Sequence, residues 1–218
     1  MKPAVIFDLD GTLIDSVPDI HASANRVFAA HGQTFTPDEV RGFVGRGAPN
    51  LLARLAESRG LPSGGAFQDA LLADFLTVYE TAQDLTRLYP GVQQALADLE
   101  ASGARLAICT NKPLGPTRAV LRHFGLDAVF PVVIGGDSLA VKKPDPAPLM
   151  AALDQLGGGP AVFVGDSEVD AETAQAARLP FLLYTEGYRK TPISALPHDV
   201  AFDDFAQLPR LVAGLIPA

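Results

Sequence analysis

Only one cysteine, Cys109, occurs in the 218 residues, so no internal disulfide can form and a reducing compartment is expected. Basic residues are also scarce: 17 lysines and arginines against 25 aspartates and glutamates leave a net charge of −8. Such a chain repels nucleic-acid backbones and anionic bilayers, and no basic run offsets this, so neither is an expected partner. No stretch approaches the roughly 20 apolar residues of a membrane span. The apolar start Val5-Ile6-Phe7 is cut off by Asp8, too early for a signal sequence, which leaves the cytoplasm as the expected location. Repeats and low-complexity tracts are missing. Between residues 16 and 83 there is no lysine at all.

What is present suits a soluble enzyme-sized domain, with 48% hydrophobic residues and enough chain for one large core plus an insertion. Short apolar runs without two-residue alternation recur at Val5–Phe7, Arg105–Thr110, Val132–Ile134, Ala161–Val164, Phe181–Tyr184 and Val200–Phe202. Runs of this kind are strands covered on both faces. Helices fit the gaps: Gly91–Ser102, Pro116–Phe124, Ala147–Leu156 and Glu168–Arg178. The alternation predicts an α/β fold with a doubly wound parallel sheet. Residues 16–83 break the rhythm and read as four helices, Val17–His31, Pro37–Phe43, Pro49–Arg59 and Ala66–Ala82. The second opens Thr36-Pro37-Asp38-Glu39, with the residues of a capping box and proline at the first helical position. An all-helical block inside an α/β alternation is expected to be an inserted lid.

Ligands of open α/β sheets gather beyond the carboxyl ends of the strands. Four of the runs end in polar residues of complementary kinds. The first leads into Asp8-Leu9-Asp10-Gly11-Thr12 and the second into Thr110-Asn111-Lys112-Pro113. The third is followed, after a loop, by Lys142-Lys143-Pro144, and the fourth by Gly165-Asp166-Ser167-Glu168-Val169-Asp170. Singly each has an ordinary explanation: a turn, a strand ending, a solvated lysine pair, a helix cap. At four successive strand ends they describe a site for a divalent cation and a phosphoryl group. Asp8 and Asp166, with Asp170 as a further candidate, supply hard oxygen ligands, which favour magnesium; no His/Cys cluster points to zinc. Thr110, Asn111 and one lysine can hold phosphoryl oxygens, and Gly11 lets backbone N–H groups approach closely. One carboxylate of the Asp8/Asp10 pair can attack phosphorus, and its neighbour can serve as general acid and then base.

These four segments resemble the motifs of the haloacid dehalogenase superfamily of phosphatases. The resemblance covers the whole chain and implies a Rossmann-like core from residues 1–15 and 84–218, with an inserted helical cap at residues 16–83. It implies that Asp8 is the nucleophile and Asp10 the acid/base. Magnesium would be held by Asp8, the backbone carbonyl of Asp10 and Asp166, with Asp170 either touching the ion or holding one of its ligands. The motif lysine of the family directly precedes proline, which favours Lys143 over Lys142. The implied activity is hydrolysis of a small phosphorylated metabolite through an aspartyl-phosphate. The cap loop of the family often faces the substrate, so Arg46 in Gly45-Arg46-Gly47 is a candidate for recognising a substrate carboxylate or sugar oxygen.

Rival activities differ at readable positions. Dehalogenases of the superfamily lack the second aspartate of the first motif, and this chain has Asp10. Phosphonatases need a cap lysine, and residues 16–83 have none. Phosphatases of sugar phosphates and mutases resembling β-phosphoglucomutase share the nucleophile, the acid/base and the cap, and remain alternatives. Receiver-type signalling modules share an acidic cluster with Thr/Ser and Lys, but are about half this length and have no helical insertion. Cys109 is expected to be a buried strand residue without chemical work, and Gly157-Gly158-Gly159 a turn.

Overall fold

A computed structural model describes residues 2–216, so the outermost positions of the expected core, 1, 217 and 218, lie outside it. Six parallel strands form the main sheet: β1 (Ala4–Phe7), β4 (Arg105–Cys109), β5 (Val132–Ile134), β6 (Ala161–Gly165), β7 (Phe181–Tyr184) and β8 (Val200–Phe202). Their order is β5-β4-β1-β6-β7-β8. The chain thus winds from β1 outward to one side, returns, and winds outward to the other. This reversal makes the crevice beyond β1 the natural ligand site.

The absence of alternation in the strands has a direct cause. Val5 and Phe7 of β1 face one apolar cluster, with Ile108, Val164 and the helix α5 (Val92–Ala101). Ala4 and Ile6 face a second cluster, with Phe163, α7 (Ala147–Gln155) and α8 (Glu168–Ala177). Both faces are covered, so the central strand positions carry apolar side chains on both sides. The remaining core helices are α6 (Leu114–His123) and α9 (Leu208–Leu215). The sequence pattern starts α6 at Pro116, whereas the helix begins two residues earlier. Proline is accommodated there because the first helical N–H groups have no intrahelical partner.

Residues 17–79 contain α1 (Val17–Phe28), α2 (Pro37–Arg41), α3 (Ala48–Ser58) and α4 (Gly65–Tyr79). They enclose a third apolar cluster of their own, including Phe28, Leu52, Leu55, Phe75 and Tyr79. The Thr36–Glu39 capping box is formed in both directions. Two short strands lie where the helical block meets the core: β2 (Ile14–Asp15) and β3 (Arg87–Leu88), paired antiparallel. At two residues each they carry no periodic signal, which is why the pattern of the sequence did not indicate them. The block is also fastened by the buried Asp19 of α1. One of its carboxylate oxygens accepts bonds from the backbone N–H groups of Leu85 (3.1 Å) and Thr86 (2.7 Å) and from the Thr86 hydroxyl (2.6 Å). Among the described residues no helix is long and apolar enough to cross a membrane.

Candidate active site

Asp8 emerges from β1 into a tight reversal in which the Leu9 carbonyl accepts the N–H groups of Thr12, Leu13 and Ile14. Gly11 adopts φ +90° within it, and a Cβ there would stand 2.5 Å from a carboxylate oxygen of Asp166. The loop can pass the Asp166 carboxylate this closely only because Gly11 has no side chain. Thr12 turns back and donates its hydroxyl to the other Asp166 oxygen at 2.8 Å. The Tyr188 backbone N–H donates to Asp166 at 2.6 Å.

Asp170 lies on the first turn of α8 and does two things at once. Its Oδ2 accepts from the Ser167 hydroxyl (2.6 Å) and backbone N–H (3.1 Å), closing a capping box. Its Oδ1 accepts from the Lys143 ammonium at 2.6 Å, and that ammonium is also 2.9 Å from Asp8. The helix-cap reading of this segment and its placement in the site therefore coexist. Lys143, and not Lys142, lies among the carboxylates; the Lys142 ammonium sits 3.4 Å from where a Cβ on Gly47 would be, toward the helical block.

Burial dominates the electrostatics. It pushes the Asp8 carboxyl up to about 6, helped by Asp170 and Asp10 and opposed by Lys143. Burial also raises Asp166 well above the usual carboxylate range, and the negative charges of Asp170 and Asp8 add to this. For Lys143, burial works against the charge, but Asp170 and Asp8 outweigh it and hold the ammonium protonated. Oxygens of Asp8, Asp166 and Asp170 lie within 4.8 Å of one another. Three clustered buried carboxylates, two of them in contact with the Lys143 ammonium, outnumber the one cation among them, and all the ligand atoms offered are hard oxygens. This donor set fits a divalent cation such as magnesium.

Thr110 and Asn111 follow β4, as the sequence pattern indicates, and both are buried. Asn111 lines the site and also ties two parts of the chain together. Its amide donates to the Gly45 carbonyl (3.0 Å) and the Lys143 carbonyl (2.9 Å), spending both hydrogens on a strap between the helical block and the core. Its side-chain oxygen is buried without a partner. Cys109, just before, is fully buried, and burial pushes its thiol up to about 12.

Two residues in the site have no role assigned by the sequence pattern, although Lys112 lies in one of its strand-end segments. Lys112 is buried and reaches Asp10, with its ammonium 3.1 Å from one oxygen and 3.5 Å from the other. The same ammonium is hydrogen-bonded to the Tyr79 hydroxyl at the end of α4. Lysine in a strand-to-turn ending is unexceptional, and Tyr79 falls on a helix where it reads as core; their meeting is a tertiary event. Tyr188 was likewise unmarked. Its hydroxyl donates to Asp15 (2.7 Å) and accepts from the Ser16 N–H (2.8 Å), while its backbone holds Asp166.

Above Asp8 and Asp10 a cavity of about 40 Å³ lies between core and helical block. Its polar lining comes from Asp8, Asp10, Thr110, Asn111, Lys112 and Tyr79, and its apolar walls include Ile20, Leu51 and Phe75. Arg46 does not line it. That side chain is exposed and borders a neighbouring groove of about 530 Å³, together with Arg54 and Lys190, because the loop turns it outward while Val44, Gly45 and Gly47 face the cavity.

Comparison with known proteins agrees with this geometry. The family model for hydrolases described as haloacid dehalogenase-like matches residues 2–178. The chain is 50% identical over 217 residues to phosphoglycolate phosphatase of Rhodobacter capsulatus, covering 98% of each. Its fold is similar to the crystal structure of a predicted phosphoglycolate phosphatase from Haemophilus somnus, with TM-score 0.88 and 32% identity, covering 95% of this chain and 96% of that one. It is also similar to CbbY from Rhodobacter sphaeroides in complex with phosphate, with TM-score 0.78 and 29% identity over 95% of this chain and 96% of that one.

Proposed function

The chain belongs to the haloacid dehalogenase-like hydrolases, and we propose that within them it hydrolyses 2-phosphoglycolate, releasing glycolate and inorganic phosphate. The observation that carries this reading is the small cavity where Asp8 and Asp10 meet one buried ammonium each, Lys143 and Lys112. Full-length relatives named for the same activity support it. So do the sequence details Thr110-Asn111-Lys112-Pro113, Gly135-Gly136-Asp137 and Lys143-Pro144-Asp145-Pro146.

In this mechanism a carboxylate oxygen of Asp8 attacks phosphorus, and the bond from phosphorus to the ester oxygen breaks. Asp10 gives its proton to the departing glycolate oxygen. Asp10, now a base, takes a proton from water, whose oxygen attacks the phosphorus of the aspartyl-phosphate and restores Asp8. Lys143 and Thr110 hold phosphoryl oxygens through the sequence. Asp8, the Asp10 carbonyl and Asp166, with Asp170 beside them, would hold magnesium, which neutralises phosphoryl charge when bound. Residues 16–83 act as a cap that excludes bulk water and limits substrate size.

A panel of phosphomonoesters tests the reading. With magnesium present, 2-phosphoglycolate should give the highest kcat/KM, ahead of N-acetylmuramate 6-phosphate and hexose phosphates. EDTA should abolish turnover and magnesium should restore it. A phosphosugar as the best substrate, or its conversion to an isomer in place of phosphate release, would overturn the proposal, and zinc dependence without a magnesium response would overturn the cation assignment.

A further inference from the structure

Lys112 is a costly residue to bury, and the phosphoryl side does not explain it. Its ammonium lines the cavity, with the Tyr79 ring centroid 4.3 Å away, and pairs with Asp10, whereas Lys143 pairs with Asp8. An ammonium has three donors; one is on Asp10 and one on the Tyr79 hydroxyl. Among the described residues, the charged side chains that line the cavity are Asp8, Asp10 and Lys112, so the positive charge on the lining comes from Lys112, with Lys143 behind Asp8. The rest of the wall away from the phosphoryl side is apolar: Ile20, Leu51 and Phe75. A bare carboxylate entering such a space is strongly disfavoured unless it meets a cation.

We propose that Lys112, together with the Tyr79 hydroxyl, receives the carboxylate of the substrate's leaving group. This rests on the phosphoglycolate reading above and assigns it a specificity site. The geometry follows from the length of the substrate. In a two-carbon phosphoacid a single methylene separates the carboxylate from the ester oxygen. Asp10 must touch that ester oxygen to protonate it, and Lys112 touches Asp10. A carboxylate one methylene away therefore falls within hydrogen-bond reach of the ammonium. A phosphosugar would instead press its hydroxyls against Ile20, Leu51 and Phe75, which offer no partner. Because Tyr79 ends α4, the receptor is complete only while the helical block sits on the core.

The test compares 2-phosphoglycolate with 2-phosphoglycolamide, which has the same leaving oxygen but an uncharged amide in place of the carboxylate, in the parent, Lys112→Met and Tyr79→Phe. Loss of Asp10 positioning alone lowers both substrates equally; loss of a carboxylate receptor lowers their ratio. Lys112→Met should reduce the acid-to-amide ratio of kcat/KM by roughly 10- to 100-fold, the worth of a charged hydrogen bond. Tyr79→Phe should reduce it by about 2- to 10-fold, and it serves as the test should Lys112→Met fail to fold. Calorimetric binding of 3-phosphonopropionate against its amide should show the same loss of preference in Lys112→Met without any turnover. A parent preference that survives unchanged in the variants would overturn this proposal alone. A parent indifferent to the carboxylate would overturn it and the phosphoglycolate reading together.

Discussion

Lys143 and Lys112 each set an ammonium against an aspartate of the opening motif, yet the two are held by different parts of the molecule. Lys143, on the loop between β5 and α7, meets Asp8 after β1 and Asp170 on α8, all within the α/β core. Lys112 meets Asp10 within the core but takes its other partner, Tyr79, from the helical block. The phosphoryl side of the site is thus built from the α/β core alone, whereas the leaving-group side is shared with the helical block. Chemistry common to many substrates can reside in the first; discrimination among leaving groups belongs to the second.

The largest effects should come from the two aspartates that this division separates. Asp8→Asn should abolish turnover to background and form no phosphoenzyme. Asp10→Asn should lose about 10²–10⁴-fold on an alkyl phosphate but less on an aryl phosphate, whose leaving group needs less protonation. Phosphate should then persist on the Asp8 peptide of the Asp10 variant, as mass spectrometry after acid quench can show. Phosphate on a serine or histidine, or full activity in Asp8→Asn, would overturn the role of Asp8 as nucleophile.

A smaller effect contrasts two glycines. Gly11 at φ +90° and Gly45 at φ +113° both favour glycine, but an added Cβ at Gly11 collides with Asp166, while at Gly45 it meets nothing within 4 Å. Each change to alanine should cost about 1–3 kcal/mol of backbone strain by thermal unfolding. Only Gly11→Ala should also lose the rise in Tm that magnesium gives the parent. Equal loss of that response in both would mean that the cation site depends on the helical block as much as on the sheet.

The smallest effect is expected at Arg46. Being exposed beside the neighbouring groove, it should change kcat/KM for a carboxylate-bearing substrate by less than about threefold on conversion to alanine, within the range of a solvated charge. A larger loss confined to KM would move recognition from the cavity to the groove.

The unequal legibility of the site has the same origin. Asp8, Thr110, Lys143 and Asp166 could be placed from the sequence because a parallel sheet delivers all its strand ends to one edge, whatever the packing details. Helix existence in residues 17–79 was equally readable, from capping residues and spacing. Which face of α4 meets which strand end is not a local property, so nothing in the sequence joins Tyr79 to Lys112. Asn111 combines the two: its residue type suits a phosphoryl group, and tertiary contacts with Gly45 and Lys143 also hold its amide. The pair β2–β3 was too short to leave any pattern, although it fixes where the block departs and returns.

That two-residue ladder, Ile14 opposite Leu88 and Asp15 opposite Arg87, sets the two ends of the intervening chain side by side. An excursion that leaves and returns at one point adds no stretch to the body it leaves, and its closure entropy grows only with the logarithm of its length. Mutational drift, lengthening or wholesale exchange of the stretch between Asp15 and Arg87 can therefore proceed without disturbing the ladder's register. A lineage carrying this arrangement is free to acquire new substrates by rewriting one internal paragraph of its gene, while the hydrolytic grammar on either side stays fixed.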